Sequence, residues 1–292
     1  MPNLDLVPKH DVSSFRKIAI GTWRTVGDPS VYGTIELKMD EAMRYLAEYR
    51  QKSGRKITVS HLMAKAVAAV LHECPDANAI LRWNRIYLRK TIGVFFQVVM
   101  TDEGSSKVDL SGATLYDVEK KSLAQVYDEF DAKVNKVRQR KDPALEKTRG
   151  MFLKIPYLFL NMFLKLISFF SFTLNLDLRS LGIPSDPFGS VMITNVGTLG
   201  LDVAYVPLVP YSKVPILLAV GAVKEEPIVK DGQIVVGKVM RVNATFDHRI
   251  IDGFHASVMS KVLRQWMEHP YEYFGPIPDA ADDPDEADAV SA

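Results

Sequence analysis

The 292-residue chain is 47% hydrophobic and 24% charged, with 36 lysines and arginines against 35 aspartates and glutamates. That composition excludes a disordered or fibrous protein and suffices for a buried core in one large domain or two small ones. It also gives the whole chain no electrostatic reason to seek nucleic acid. A single cysteine, Cys74, rules out an intrachain disulfide framework. The opening MPNLDLVPKHDVSS has neither the basic nor the apolar region of a secretion signal, so a cytoplasmic protein is expected.

In chain order, VYGTIELK (31–38) alternates with Val31, Gly33, Ile35 and Leu37 on one side, which predicts a strand with one wet face. Asp40 is placed to cap a helix through about Arg50, and Ser60 to cap a second as far as about Cys74, whose thiol falls on the apolar stripe and is expected to be buried. GVFFQVVM (93–100) reads as a strand. Leu123, Val126, Phe130, Val134 and Val137 then recur at helical spacing, which predicts a long amphipathic helix with a solvated basic end.

From Gly189 the pattern turns to strands, GSVMIT, VPILLAVGAV and PIVKDGQIVV, with a tight hairpin expected at Asp231-Gly232. KVMRVNATF alternates again, and a closing helix is expected from about Ala256 to Trp266. The order implies an α/β or α+β layered protein around a mixed sheet. No internal repeat, G-x-G-x-x-G loop or P-loop is present. Residues 278–292 carry six acids and no base and read as a disordered acidic tail; without it the body is at about +7, which suits an anionic ligand.

The stretch TFDHRIIDG (245–253) holds the chemistry-bearing cluster. On one continuous helix His248, Asp252 and His255 would align as metal ligands, but the alternation of Met240, Val242, Ala244 and Phe246 makes the approach a strand, and Gly253 is poor in a helix interior. His248 is therefore expected on a strand-to-helix turn, with no metal. Two readings stay open on residue types alone: a base projecting into a cleft with one ring nitrogen held, or a structural knot of Asp247, Arg249 and Asp252 around a satisfied histidine.

FDHRIIDGFHASVMSKVLRQWMEHP resembles the D-H-R-x-x-D-G signature and following helix of the 2-oxoacid dehydrogenase acyltransferases, whose dihydrolipoyl acyltransferase cores share a fold with chloramphenicol acetyltransferase. SSFRKIAIGTW, KITVSHLMAKAVAAVLHECPDANA and ITNVGTLGLDVAYVPLVPYSKVPILLAVGAV support the likeness in the right order. The resemblance implies a catalytic domain over 11–277, after an N-terminal extension at 1–10, and a homotrimer with its active site between subunits. It implies that His248 deprotonates the thiol of coenzyme A or dihydrolipoamide, and that the thiolate attacks the partner's thioester with no acyl-enzyme. It further implies that Thr194, in I-T-N-V-G, donates to the oxyanion, with Asn195 and Gly253 in the same motifs. Asp252 would be a supporting carboxylate and Arg16 its ion-pair partner.

Coenzyme A enters as a substrate, and a lipoyl group is expected only from a separate lipoylated carrier protein, since the chain begins almost at the core. GSSKVDL stands where the family has a G-L-V-V-P channel segment, and a cage larger than a trimer lacks the usual apolar C-terminal anchor. An apolar helical insert spans about 150–178. Ile155 to Leu176 has bilayer length, yet Lys165 near its middle costs roughly 2.5 to 3.5 kcal/mol in a membrane, which disfavours crossing. Phe152, Ile155, Phe159, Phe163, Leu166 and Phe170 form one side, opposite Lys154, Asn161, Lys165 and Ser168. The uses expected for 151–176 are packing on the protein's own surface or a neighbouring subunit, a peripheral membrane contact, or a wall of an acyl pocket. Alternatives to the thiol-to-thiol acyltransferase are a non-catalytic scaffold with the same fold and a stand-alone acyl-coenzyme A transferase acting on a small amine or alcohol.

Overall fold

The computed structural model describes residues 3–10, 28–101, 108–139, 141 and 156–278. Arg16, Phe152, Lys154, Ile155, residues 102–107 and the acidic tail from Asp279 lie outside them. In chain order the elements are β1 (Leu6–Pro8), β2 (Ser30–Lys38), α1 (Asp40–Ser53), α2 (Val59–Glu73), β3 (Ala79–Arg82), β4 (Arg85–Arg89), β5 (Gly93–Thr101) and β6 (Val108–Tyr116). There follow α3 (Leu123–Arg138), α4 (Tyr157–Ser168), β7 (Val191–Asn195), β8 (Ile216–Lys230), β9 (Gln233–Asp247), α5 (Gly253–Glu268) and α6 (Pro270–Tyr273).

Six strands form the main sheet in the order β2-β9-β8-β7-β5-β6. β7 runs parallel to both neighbours and every other pair is antiparallel, so the sheet is mixed as expected. The apolar side of β2 reaches full burial at Leu37, while the wet side, with Tyr32 and Glu36, faces out at the sheet edge. β8 and β9 join at Asp231 and Gly232, both with positive φ (52° and 77°), the twist that a two-residue hairpin needs and that Asp-Gly supplies.

Helices α1, α2 and α5 cover one face of this sheet. Leu37, Leu62, Val67, Val242, Met259 and Leu263 meet there in the principal core, each such burial worth roughly 1.5–3 kcal/mol. Two expected caps are corrected. Asp40 is the first residue of α1, not its cap, and its carboxylate accepts the Lys238 N–H at 3.1 Å. Thr58 caps α2 through a reciprocal capping box with His61, so Ser60 lies inside the first turn, where its hydroxyl serves another partner. α3 buries Leu123, Val126, Val134 and Val137 as its spacing predicts, and Phe130 meets the His61 ring edge-on at 4.8 Å.

A second sheet, β1-β4-β3, is smaller. The stretch read as an N-terminal extension supplies its edge strand β1, and Asn3 and Leu4 before it are buried. A buried ion pair, Arg89 to Asp186 at 2.6 Å, ties this sheet to the segment entering β7.

The insert differs from its expected form. Regular α-helix ends at Ser168, a π-helical turn occupies Phe169–Thr173, and Asn175 turns the chain with a φ of 58°. Among the described residues of this unit, Ile167, Ser168, Ser171 and Phe172 at its end are buried, Leu160, Phe163 and Leu164 are half-buried, and Leu158 and Met162 are exposed. Among the described residues no helix is long and apolar enough to cross a membrane.

Candidate active site

β9 delivers His248. Its strand pairing with β2 ends at Asp247 opposite Ser30, and the chain then folds back at once, with the Ile250 and Ile251 N–H groups both donating to the Asp247 carbonyl. The His248 N–H donates to Pro29 O at 2.9 Å, which fixes the backbone of the turn. Its Nδ1 lies 2.8 Å from Ile251 O. A carbonyl oxygen only accepts, so Nδ1 carries the proton and Nε2 is the basic nitrogen of the neutral ring. The strand-to-helix turn is as expected, and His248 and His255 do not share one helix.

The acidic residues around it have separate tasks. Asp247 is buried and takes both arms of the Arg249 guanidinium, at 2.9 and 2.6 Å, while also accepting the Arg249 N–H. The Asp247–Arg249 part of the expected salt knot is therefore present. Asp252 takes another role: it caps α5, accepting from the N–H groups of Phe254 and His255 at 3.0 and 3.2 Å and facing His255 Nδ1 at 2.6 Å. The helix accordingly starts at Gly253, three residues before the expected Ala256, and a Cβ at Gly253 would meet nothing within 4 Å. Arg16, its expected partner, lies outside the described residues.

Thr194 stands near the end of β7, half-buried, and its hydroxyl has no hydrogen-bond partner among the described residues. Asn195 next to it spans two elements, donating to Ser60 Oγ at 3.0 Å and accepting from Thr198 N at 3.2 Å. Gly197 in the same motif packs so closely on the next strand that a Cβ would come within 2.6 Å of the Gly221 backbone. A larger residue there would push the Thr194 loop off β8.

The register separates Thr194 from His248. Thr194 pairs with Ala219, which pairs with Asn243, five residues before His248 on β9. Five strand residues span roughly 17 Å and two interstrand steps about 10 Å, so within one chain the two lie about 19 Å apart. Side-chain parity separates them further: Ile193 and Asn195 face the helices, which leaves Thr194 on the opposite face, whereas Val242, Ala244 and Phe246 precede His248 on the helix side.

Beside the His248 strand, a cavity of about 130 Å³ opens between the sheet and α5. Gly33, Val67, Leu218, Ala244, Phe246 and Met259 are among its walls, and it is predominantly apolar. Pure sequence reasoning missed the Ile251 carbonyl, because backbone groups leave no residue-type signal. It also missed the Ser60 contact, because that serine lies at a helix start and so reads as a cap.

The family model for the 2-oxoacid dehydrogenases acyltransferase (catalytic domain) matches residues 18–153 and 187–274, well over half of the chain. The unmatched interval between them contains α4 and the π turn. The lipoamide acyltransferase component of the branched-chain alpha-keto acid dehydrogenase complex of Pseudomonas putida is 37% identical over 81 residues, or 28% of this chain and 19% of that protein. The dihydrolipoyllysine-residue acetyltransferase component of the pyruvate dehydrogenase complex of Rhizobium meliloti is 22% identical over 250 residues, 83% of this chain and 45% of its own. The chain thus spans less than half the length of these curated relatives. Among solved structures, the cubic core of a pyruvate dehydrogenase multienzyme complex superimposes with a TM-score of 0.62 at 20% identity, covering 92% of this chain and 100% of that one. The fold is the mixed-sheet fold of these cores, the chloramphenicol acetyltransferase-like class that the motifs imply. A chain matched over most of its length by this model, and carrying D-H-R-x-x-D-G on the turn between β9 and α5, belongs to the 2-oxoacid dehydrogenase acyltransferase catalytic-domain family.

Proposed function

We propose that this domain transfers an acyl group between coenzyme A and dihydrolipoamide, with His248 as general base and Thr194 as oxyanion donor. The observation that carries the reading is the His248 Nδ1 contact to Ile251 O, which assigns the basic lone pair to Nε2. A thiol of ordinary pKa, roughly 8.5, is largely protonated at neutral pH, so it needs such a base. Nε2 takes the thiol proton while the sulfur bonds to the thioester carbonyl carbon, and the carbonyl π electrons move to oxygen. Thr194 donates to that oxyanion. Collapse breaks the original carbon–sulfur bond, and the imidazolium returns its proton to the departing thiolate. The acyl group passes directly from sulfur to sulfur, with no enzyme-bound ester.

A base and an oxyanion donor acting on one carbonyl must lie within about 10 Å of each other. The roughly 19 Å within one chain exceeds that reach, so we assign each site to His248 of one copy and Thr194 of a neighbour, in a homotrimer. The cubic core that this chain resembles is assembled from such domains into a larger particle, and a cage built on the trimer is the extension of the same reading. The lipoyl group arrives on a carrier.

The test is release of coenzyme A thiol from a panel of short, branched and long acyl-coenzyme A donors, with and without dihydrolipoamide. Turnover that needs dihydrolipoamide and collapses in His248→Ala supports the reading. Turnover independent of dihydrolipoamide but dependent on an amine or alcohol moves the acceptor to that class. A folded oligomer that neither binds nor turns over any donor makes the chain a scaffold.

A further inference from the structure

α4 is apolar on nearly every side, yet Leu158 is 85% exposed and Met162 55%. No residue from Leu158 to Leu166 is fully buried. A helix of this composition needs a non-aqueous neighbour; among the described residues Leu160, Phe163 and Leu164 are half-buried, and full burial is reached at its end, where Phe172 packs with Leu4 and Ile80. At that end the tip of the β3–β4 hairpin projects Trp83, 62% exposed, edge-on to Phe169 at 5.9 Å. Leu158, Phe159, Met162, Leu166, Phe169 and Trp83 make up this exposed apolar surface.

Among the described residues the charge left unpaired around it is basic. Residues 79–90 (AILRWNRIYLRK) hold four basic residues and no acid; Arg89 and Lys90 are paired with Asp186 and Asp5, which leaves Arg82 and Arg85 at the hairpin tip. Arg82 is held by Thr173 O and the Tyr87 ring, and neither Arg85 nor Lys165 takes part in an ion pair among the described residues. Residues 156–182 contain one acid, Asp177, and Arg179 neutralises it with a two-pronged pair. At 12 residues α4 is about 18 Å long, short of the roughly 20 residues that crossing requires but suited to lying in an interface.

From the exposed apolar helix, the projecting tryptophan and the uncompensated cations, we propose that α4 and the β3–β4 hairpin form a peripheral binding surface for anionic lipid membranes. Leucine, phenylalanine and methionine side chains enter the acyl boundary, Trp83 sits at headgroup level, and Arg82, Arg85 and Lys165 face the lipid phosphates. A two-fold contact between copies would set those same three cations against one another, whereas a contact within a cyclic trimer would set this face against a different surface, so oligomer size is read alongside flotation. The proposal does not depend on the acyl-transfer reading.

The test is flotation of the full chain with phosphatidylcholine vesicles, with and without phosphatidylglycerol. Wild type is expected to float with the anionic vesicles and more weakly with the neutral ones. Leu158→Asp with Met162→Asp abolishes flotation on both while oligomer size and acyl transfer stay unchanged. Arg85→Gln with Lys165→Gln lowers partitioning onto anionic vesicles about twenty-five-fold, at about fivefold per charge, and leaves neutral vesicles unaffected. Wild type that floats with neither vesicle overturns the proposal. So does an aspartate double variant that breaks the oligomer, since the face is then a contact between copies.

Discussion

The Nδ1 of His248 donates to the carbonyl oxygen of Ile251 across 2.8 Å, three residues along the chain. This bond needs only the backbone of a turn that is separately held by Asp247 and Pro29. Replacing the ring therefore leaves the turn in place and removes the base. His248→Ala is expected to lower kcat/KM for acyl transfer by about 10²–10⁴-fold with an unchanged circular dichroism spectrum. Activity within a few fold of wild type would remove His248 from the chemistry.

Thr194 is expected to act through its hydroxyl, a donor that serine also carries. Thr194→Ser keeps most activity. Thr194→Val, which preserves shape and loses the donor, lowers kcat by about 10²–10³-fold with little change in KM. A valine variant with wild-type kcat would show that the oxyanion is held by another group.

Asp252 caps α5 by two backbone hydrogen bonds. Asp252→Ala is expected to cost about 1 kcal/mol in urea unfolding, and Asp252→Asn much less, because asparagine keeps the accepting oxygen. If both variants lose activity alike while only alanine loses stability, the carboxylate charge has a catalytic use besides the cap.

His61 is a pH-dependent weak point. Burial, reinforced by the nearby Arg50 charge, lowers its pKa from 6.5 to about 4. Above pH 6.5 the ring is neutral in both folded and unfolded chains and contributes no slope. As pH falls from 6.5 towards 4, the unfolded chain takes up a proton that the folded one refuses, so stability drops, by roughly 3 kcal/mol at the limit. His61→Gln, which can still complete the capping box with Thr58, flattens this slope. Unfolding midpoints in urea across that window measure it, and an unchanged slope in the variant would contradict the assignment.

Residues whose role depends on local pattern were legible in the sequence. Alternation around Ile35 and Val242 identified strands, Asp231-Gly232 identified its hairpin, and the helical spacing of Leu123 to Val137 identified α3. Cys74 is buried as its place on the apolar stripe of α2 implied, and burial raises its pKa. The caps were not legible, because Asp40 and Ser60 have the right residue types one or two positions too late, and tertiary partners at Lys238 and Asn195 take their side chains. The break in the insert at Ser168 escaped as well: a π turn leaves the apolar composition unchanged. The separation of Thr194 from His248 follows only from register, which links residues far apart in sequence and has no local signal.

If one site takes its base and its oxyanion donor from different copies, two inactive variants complement each other. His248→Ala and Thr194→Val chains are assayed for transfer between acyl-coenzyme A and dihydrolipoamide, each alone and after coexpression into mixed oligomers. Near-zero activity is expected for either variant alone, with recovery of about a quarter of the wild-type rate in a random equal mixture, where that share of interfaces pairs an intact histidine with an intact threonine. Mixed oligomers that remain as inactive as their parents would contradict it, because base and donor would then have to come from the same chain.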